Sequence, residues 1–349
     1  MNKLFALDLG NKQTKIKSEK GEYVAPSALL NAHEIESPYS SGSPRGVDKF
    51  QISTEDDVFY WGKGVIDYSA DQLTDTLGFE GRYDRPEYKR LAAMAIAFLA
   101  KDYPEAQEGV LSADIVVGLP TSDYTQPQNI STVIKAIKRQ QVVIVDDKPI
   151  TLKIESVRVL PQPIGTVYNY LLNEEGEAKV SSIGERYAVA DIGGGTVLLD
   201  QILTEQSGFR FDNSNRTQSE LGMNELYTRI EQKIAEKYGI NADINIISKA
   251  LRTSENGKYV YKQSSNNILD ITNIVEQEIN YYTQRLIEKI NTTFKNLSSV
   301  DVLLFTGGGT AVINKKLVNE QIKGTKIIYS DDPEKSNVNG FYKFGLLNK

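Results

Sequence analysis

Three glycine-rich segments of the chain carry residue types that are suited to binding phosphate groups. They read LDLGNKQTK at 7–15, VADIGGGTVLL at 189–199 and LLFTGGGTAVI at 303–313. In the first two, an aspartate (Asp8 or Asp191) lies two positions before a glycine, between two apolar runs that are typical of strands. Because glycine has no side chain, the backbone of such a turn can come close to a ligand, and its successive N–H groups form a concave donor site for anionic oxygens. The pattern predicts phosphate-binding turns.

The two aspartates predict a metal ion beside the phosphates. A carboxylate repels a phosphate, so the natural partner of Asp8 and of Asp191 is Mg²⁺, or water bound to Mg²⁺, which bridges to the phosphate oxygens. The sequence has no cysteine and a single histidine, His33, which excludes disulfides, thiolate catalysis and a multi-histidine metal cluster.

The context of the glycines excludes two common nucleotide-binding motifs. A Walker A loop needs a following Gly-Lys-Ser/Thr, which is absent, and a Rossmann fingerprint needs a helix where residues 197–199 continue as a strand. We expect two hairpins, residues 8–15 and 191–197, that hold a polyphosphate from two sides. The third segment predicts a strand followed by a helix at 310–318, whose N-terminus suits the α-phosphate and the ribose.

Composition limits the class of protein. A chain of 349 residues is long enough for two lobes. The formal net charge of −6 argues against a large surface for direct contact with nucleic acid, and the basic stretch at 131–140 is interpreted as the solvated face of a helix. No apolar run is long enough to cross a membrane and no signal sequence is evident. We therefore expect a cytoplasmic protein without membrane attachment.

The elements repeat along the chain. Each half opens with a strand, an acid, a glycine turn and a second strand, which indicates an internal duplication. We predict a first lobe at 1–180 with a small inserted subdomain at about 31–90, and a second lobe at 181–335 with a small subdomain at about 220–275. Residues 336–349 are expected to return to the first lobe. Apolar periodicity predicts helices at 86–99, 163–173, 221–238 and 274–295.

The ordered set of glycine segments resembles the first phosphate loop, second phosphate loop and adenosine loop of the actin, sugar kinase and heat-shock chaperone superfamily. Four further segments are similar to plasmid-segregation actins of the ParM type, namely VAPS at 24–27, GLPTSDY at 118–124, VLPQP at 159–163 and SNVNGFYKFG at 336–345. The resemblance covers nearly the whole chain. It implies an α/β protein with an actin-like two-lobe fold, in which duplicated ribonuclease-H-like domains flank a nucleotide cleft.

The resemblance also implies roles for individual residues. Asp8 and Asp191 would hold Mg²⁺ through water, and Gln162 would orient the attacking water, since an amide positions water without acting as a strong base. The residues implied to bind nucleotide are Gly10, Asn11, Lys12 and Lys15 in the first loop, Gly193, Gly194, Gly195 and Thr196 in the second, and Gly307, Gly308 and Gly309 around the ribose and base. Asn11 stands where the family usually has Ser or Thr, and Lys12 replaces a small residue.

Other interpretations exist for three of these positions and for one further segment. Asp8 is alternatively an ordinary turn acid, Lys15 a lysine that protects a sheet edge, and Gln162 an exposed polar residue. The aromatic segment at 60–63 is interpreted as core of the small subdomain, with a self-assembly contact as the alternative.

The function implied is that of an ATPase that polymerises with ATP, or GTP, and Mg²⁺. Its filaments would segregate plasmid DNA through a separate DNA-binding adaptor, without direct contact between this chain and nucleic acid. The alternative is a sugar or small-molecule kinase of the same fold, for which Asp123 is the candidate base. A chaperone would need a substrate-binding domain after residue 349, and a membrane-attached division actin would need a basic amphipathic end that 337–349 does not provide.

Overall fold

Two units, each organised by a central sheet, make up the chain. One comprises Met1–Val180 with Asn337–Lys349, and the other comprises Ser181–Ser336. The computed structural model describes residues 2–35, 45–68, 70–76, 81–179, 182–206, 208–254 and 257–349. Within these ranges, no helix combines the length and apolar character needed to cross a membrane.

The first unit contains a ten-stranded sheet in the order β3-β2-β1-β8-β10-β9-β5-β6-β4-β7. Its strands are β1 (Lys3–Leu9), β2 (Gln13–Ser18), β3 (Gly21–Pro26), β4 (Ala28–Asn31), β5 (Asp48–Ile52), β6 (Val58–Trp61), β7 (Leu73–Asp75), β8 (Val110–Leu119), β9 (Gln140–Val145) and β10 (Lys148–Pro161). Its helices are α1 (Pro86–Ala100), α2 (Pro104–Glu108), α3 (Thr121–Tyr124), α4 (Pro127–Ile137) and α5 (Gln162–Leu171).

The second unit contains a five-stranded sheet in the order β13-β12-β11-β16-β17 and a separate hairpin of β14 and β15. The strands are β11 (Arg186–Ile192), β12 (Val197–Glu205), β13 (Gly208–Ser219), β14 (Val260–Lys262), β15 (Ile268–Asp270), β16 (Val302–Thr306) and β17 (Lys326–Tyr329). The helices are α6 (Met223–Tyr238), α7 (Ile244–Arg252), α8 (Thr272–Thr293) and α9 (Lys315–Gln321). A last helix, α10 (Ser336–Leu347), follows and lies almost wholly in the first unit.

The same topology is present in both sheets. β1, β2 and β3 form an antiparallel meander, β8 pairs parallel to β1, and β10 pairs parallel to β8. β11, β12 and β13 form the second meander, extended in the same way by the parallel strands β16 and β17. The acid and glycine positions lie at equivalent ends of the two meanders, as the duplicated sequence pattern predicts.

Both faces of the first sheet are covered, which explains why β1 is buried almost continuously. Phe5 and Leu7 pack into the core that includes α1, whereas Leu4 and Ala6 pack against Val338 and neighbouring residues of α10. The predicted aromatic segment at 60–63 also contributes to the first core, because Trp61 is 1% exposed and its ring contacts Phe50 at 6.3 Å between centroids.

Close backbone contact joins α10 to α5. A Cβ at Gly340 would lie 1.7 Å from the Gly165 carbonyl oxygen, so only glycine fits at this crossing. Phe341 fills the adjacent space, since a Cβ at Gly118 would lie 2.3 Å from its ring. The buried Lys343 donates to the Leu172 carbonyl at 3.3 Å, just beyond the end of α5. These contacts fix the position of α5, which begins at Gln162.

The four predicted helices are confirmed as α1, α5, α6 and α8, but the predicted helix at 310–318 is wrong. Residues Gly308–Ala311 form a single 3₁₀ turn, and α9 begins only at Lys315. Thr310 is fully buried and donates its hydroxyl to the Thr306 carbonyl at 2.6 Å, which holds the chain in the tight turn. Asn314 then starts α9 separately by accepting the Leu317 N–H at 3.1 Å.

Gly340→Ala should destabilise the first unit by about 2 kcal/mol, since overpacking against a backbone carbonyl exceeds the gain in helix propensity. Leu347→Ala, at a half-exposed position of the same helix, is the control and should have little effect. Urea denaturation measures both. Equal stability of Gly340→Ala and the unmodified protein would contradict the helix crossing.

Candidate functional site

The first acid–glycine hairpin joins β1 to β2. The Gly10 N–H donates to the Gln13 carbonyl at 3.1 Å and closes the turn. Ser27 donates its hydroxyl to the Gly10 carbonyl at 2.6 Å and its N–H to the Lys12 carbonyl at 3.0 Å. Because a trans peptide directs its N–H opposite to its C=O, the Asn11 amide points away from Ser27. The Asn11 and Lys12 amides donate to none of the residues that the structure describes.

Asp8 lies at the end of β1 with 2% of its surface exposed. Its Oδ1 accepts a hydrogen bond from Gln162 Nε2 at 2.9 Å, and its Oδ2 lies 3.6 Å from Lys15 Nζ. A carboxylate only accepts, so Gln162 must turn its NH₂ group towards Asp8, which leaves the amide oxygen Oε1 as an acceptor for another group. Gln162 is buried rather than exposed, and Lys15 lies on an inner strand rather than at a sheet edge.

The second acid–glycine hairpin joins β11 to β12 with the same turn closure. The Gly193 N–H donates to the Thr196 carbonyl at 2.9 Å. The Gly193 and Gly194 carbonyls accept the N–H groups of the first two residues of α6, at 3.0 and 2.8 Å. Trans peptides then direct the Gly194 and Gly195 amides to the opposite side. Within the described residues these two amides have no acceptor, which makes them available to an anion.

The third glycine segment packs against the second aspartate. β16 pairs with β11 so that Thr306 is level with Asp191. Gly307 has a positive φ of 80°, and a Cβ there would lie 2.4 Å from Asp191 Oδ1. Its N–H donates to the Pro333 carbonyl at 2.8 Å. The second unit therefore places Asp191, the second glycine turn and Gly307–309 at one end of its sheet.

A groove beside the third glycine segment encloses about 560 Å³. It combines an aromatic ring, aliphatic side chains, amides and one carboxylate, and the residues lining it are Tyr259, Glu276, Ile279, Asn280 and residues 311–315. One wall is held in place by Asn314, whose side-chain nitrogen donates to Asn280 Oδ1 at 2.7 Å and whose N–H donates to Thr283 Oγ1 at 3.0 Å. A planar heterocycle with polar edges matches this lining.

The candidate metal residues do not form a preassembled carboxylate cage. No group of three or more His, Cys, Asp or Glu side chains suited to a metal occurs within the described ranges. Asp8 and Asp191 are single carboxylates at the ends of equivalent strands. A single carboxylate of this kind fits Mg²⁺, which usually binds through one or two carboxylates, waters and substrate phosphates.

Two family models match the chain. The N-terminal domain of actin-like proteins matches residues 6–165, and the C-terminal domain of Alp7A matches residues 186–329. The chain belongs to the actin-like proteins. No curated protein matches it by sequence.

Solved structures of actin-like proteins show the same fold. The apo ParM protein of pSK41 is 22% identical with a TM-score of 0.78, and the match covers 99% of this chain and 97% of that one. The archaeal actin homologue Ta0583 in complex with ADP is 17% identical with a TM-score of 0.76, over 98% and 99%. A 15-stranded ParM filament from Clostridium botulinum is 18% identical with a TM-score of 0.73, over 99% of both chains.

Some residues of this actin-like protein's candidate site were missed at the sequence level. Ser27 donates to the Gly10 and Lys12 carbonyls of the first turn. It lies within the VAPS segment, but the sequence pattern predicts no role for it. The groove residues Tyr259, Glu276 and Asn280 lie in separate segments with ordinary composition, so no local pattern marks them.

Gly222→Ala should displace the second glycine turn, because its Cβ would lie 2.3 Å from the Gly195 carbonyl carbon and 2.5 Å from the Thr196 nitrogen. The amide resonances of Gly194 and Gly195 should shift in an NMR spectrum. Gln232→Ala, at an exposed position on α6, is the control. Unchanged Gly194 and Gly195 resonances in Gly222→Ala would contradict the packing described.

Proposed function

We propose that this actin-like protein binds ATP, or GTP, with Mg²⁺, hydrolyses it, and polymerises into filaments that segregate plasmid DNA through a DNA-binding adaptor. The observation that carries the proposal is the pair of matched hairpins. Each has an aspartate at its base and two turn amides without an acceptor among the described residues. The peptide carbonyls opposite the Asn11, Gly194 and Gly195 amides are already occupied by protein donors. Sites of this kind bind polyphosphate.

Both hairpins are proposed to contact the same nucleotide. The Asn11 and Lys12 amides of the first, and the Gly194 and Gly195 amides of the second, would donate to the phosphate oxygens. Asp8 and Asp191 would hold Mg²⁺ through water, and the bound ion would neutralise charge that develops on the phosphates during hydrolysis. The archaeal actin homologue Ta0583, which shares this fold, was solved in complex with ADP, and this supports nucleotide binding.

The base and ribose are proposed to occupy the groove beside Gly307–309. Tyr259 and Ile279 offer apolar surface for a purine ring, and Asn280 and Glu276 offer polar groups for its edge or for the ribose hydroxyls. The groove contains both amide and carboxylate groups, so it accommodates either purine, and ATP and GTP both remain candidates.

Gln162 is proposed to orient the water that attacks the γ-phosphorus. Its NH₂ group is held by Asp8, so its Oε1 can accept a hydrogen bond from water. The water oxygen forms the new bond to phosphorus, the bond from phosphorus to the bridging oxygen of the β-phosphate breaks, and the products are the nucleoside diphosphate, inorganic phosphate and a proton. An amide orients water without accepting its proton, which is consistent with slow hydrolysis.

Filament assembly is proposed because the chain is an actin-like protein, and an adaptor is proposed because of the net charge of the chain. ParM forms a filament in the Clostridium botulinum structure, which has the fold of this chain. The net charge of −6 disfavours direct binding to DNA, so a separate basic adaptor is the proposed link to the plasmid.

The kinase alternative has one candidate base, Asp123. Its Oδ2 already accepts a hydrogen bond from the Tyr83 hydroxyl at 2.5 Å, which competes with a substrate hydroxyl for the same oxygen. The ATPase is therefore the better-supported of the two functions.

Addition of ATP or GTP with Mg²⁺ should cause a rise in light scattering, and electron microscopy should show filaments. EDTA, which removes Mg²⁺, should prevent the rise. If neither nucleotide produces polymer, and a sugar instead accelerates nucleotide turnover, the kinase replaces the filament-forming ATPase.

Gln162→Ala should lower the rate of phosphate release by roughly 100-fold while leaving nucleotide affinity unchanged, because the water loses its orienting acceptor. Gln128→Ala, at an exposed position on α4, should leave the rate unchanged. Phosphate release and equilibrium nucleotide binding are measured separately. A normal rate in Gln162→Ala would remove this residue from the mechanism.

A further inference from the structure

An arginine that pairs with no carboxylate of the described residues lies against the first glycine turn. Arg82 belongs to the 3₁₀ turn Arg82–Asp84 before α1, and only 8% of its surface is exposed. Its Nη1 donates to the side-chain oxygen of Asn11 at 2.5 Å, and its guanidinium carbon lies 4.7 Å from the centre of the Tyr83 ring. A neutral amide and an aromatic ring are therefore its neighbours.

The guanidinium of Arg82 has neither a full set of hydrogen bonds nor an ion pair among the described residues. Arg82 Nε is buried and has no hydrogen-bond partner, and no carboxylate lies within ion-pair distance of Arg82 in the described part of the chain. Two described acids close to this turn have other partners. Asp84 pairs with Lys89 at 2.7 Å, and Asp123 accepts from the Tyr83 hydroxyl.

The phenols beside Arg82 do not supply the missing anion. Burial raises the pKa of Tyr83 and of Tyr88 above the ordinary value, and the positive charge of Arg82 opposes that rise without reversing it. Both phenols are therefore neutral at physiological pH. A buried guanidinium is costly unless an anion compensates it, and the described residues supply none, so the arrangement calls for an anion from elsewhere.

The location narrows the choice of anion. Asn11 is a residue of the first glycine turn, and its backbone amide is one of the donors with no acceptor. Lys15 cannot serve as the free cation of this turn, because its charge is opposed by Asp8 at 3.6 Å. Guanidinium groups bind phosphate through two parallel N–H donors, and a neighbouring turn amide adds a third.

We propose that Arg82 binds a phosphate group of the nucleotide at the first glycine turn, with Asn11 holding its guanidinium in place. The inference rests on the proposed nucleotide binding and adds to it a cation that is distant from the turn in sequence. A carboxylate from a second copy of the chain in a filament is the competing anion, and the test separates the two.

Arg82→Gln and Arg82→Lys test the proposal, with Arg85→Gln as the control because Arg85 is exposed and carries the same charge three residues later. Arg82→Gln should weaken ATP and ADP binding by about 10- to 100-fold, the usual effect of losing a charged hydrogen bond. Arg82→Lys should recover part of the loss, since lysine keeps the charge without the two parallel donors. Binding of adenosine, which lacks phosphate, should not change. Thermal stability without nucleotide should not fall, because Arg82→Gln removes a buried charge that has no compensating anion in the free protein.

Three results would overturn the inference. Unchanged ATP affinity in Arg82→Gln, with polymerisation lost, would assign Arg82 to a contact between copies. Equal losses for ATP and adenosine, together with a lower melting temperature without nucleotide, would assign it a structural role. If the unmodified protein binds neither ATP nor GTP, the proposed function fails and the inference fails with it, whereas normal binding in Arg82→Gln removes Arg82 alone.

Discussion

The candidate site depends on one constraint: other parts of the protein donate hydrogen bonds to the carbonyl oxygens of both glycine turns. Ser27 occupies the carbonyl side of the first glycine turn, and the N-terminus of α6 occupies that of the second. Since each peptide is planar and trans, these bonds determine where the opposite amides point. Gly222 must be glycine because α6 approaches the second turn too closely for a side chain, and a Cβ there would lie 2.3 Å from the Gly195 carbonyl carbon. The donors are thus arranged before any ligand arrives, which lowers the cost of binding.

A second set of contacts links the helices to the chemistry. α10 crosses α5 at Gly340 and places Phe341 beside Gly118, and α5 in turn begins at Gln162. Gln162 then meets Asp8, so the proposed water-orienting amide is positioned by packing between helices as well as by its own hydrogen bond. The chain therefore uses its last helix to support a residue near the middle of its sequence.

The hairpins could be predicted from the sequence because their contacts are local. Asp8 lies two residues before Gly10, and a continuous apolar run defines the strand that leads to it. The Gln162–Asp8 bond spans 154 positions and the Arg82–Asn11 bond spans 71, so no local pattern reveals either contact. The helix expected at 310–318 failed for a related reason: Thr310 is buried by tertiary packing, which overrides the local helical pattern.

The central claim is that the free amides of both hairpins bind one nucleotide. A titration with ATP and Mg²⁺, followed by the amide resonances of Asn11, Lys12, Gly194 and Gly195, tests it most directly. The account predicts that all four resonances shift together and saturate at one nucleotide per chain. Shifts confined to one hairpin, or saturation of the two hairpins at different nucleotide concentrations, would contradict it.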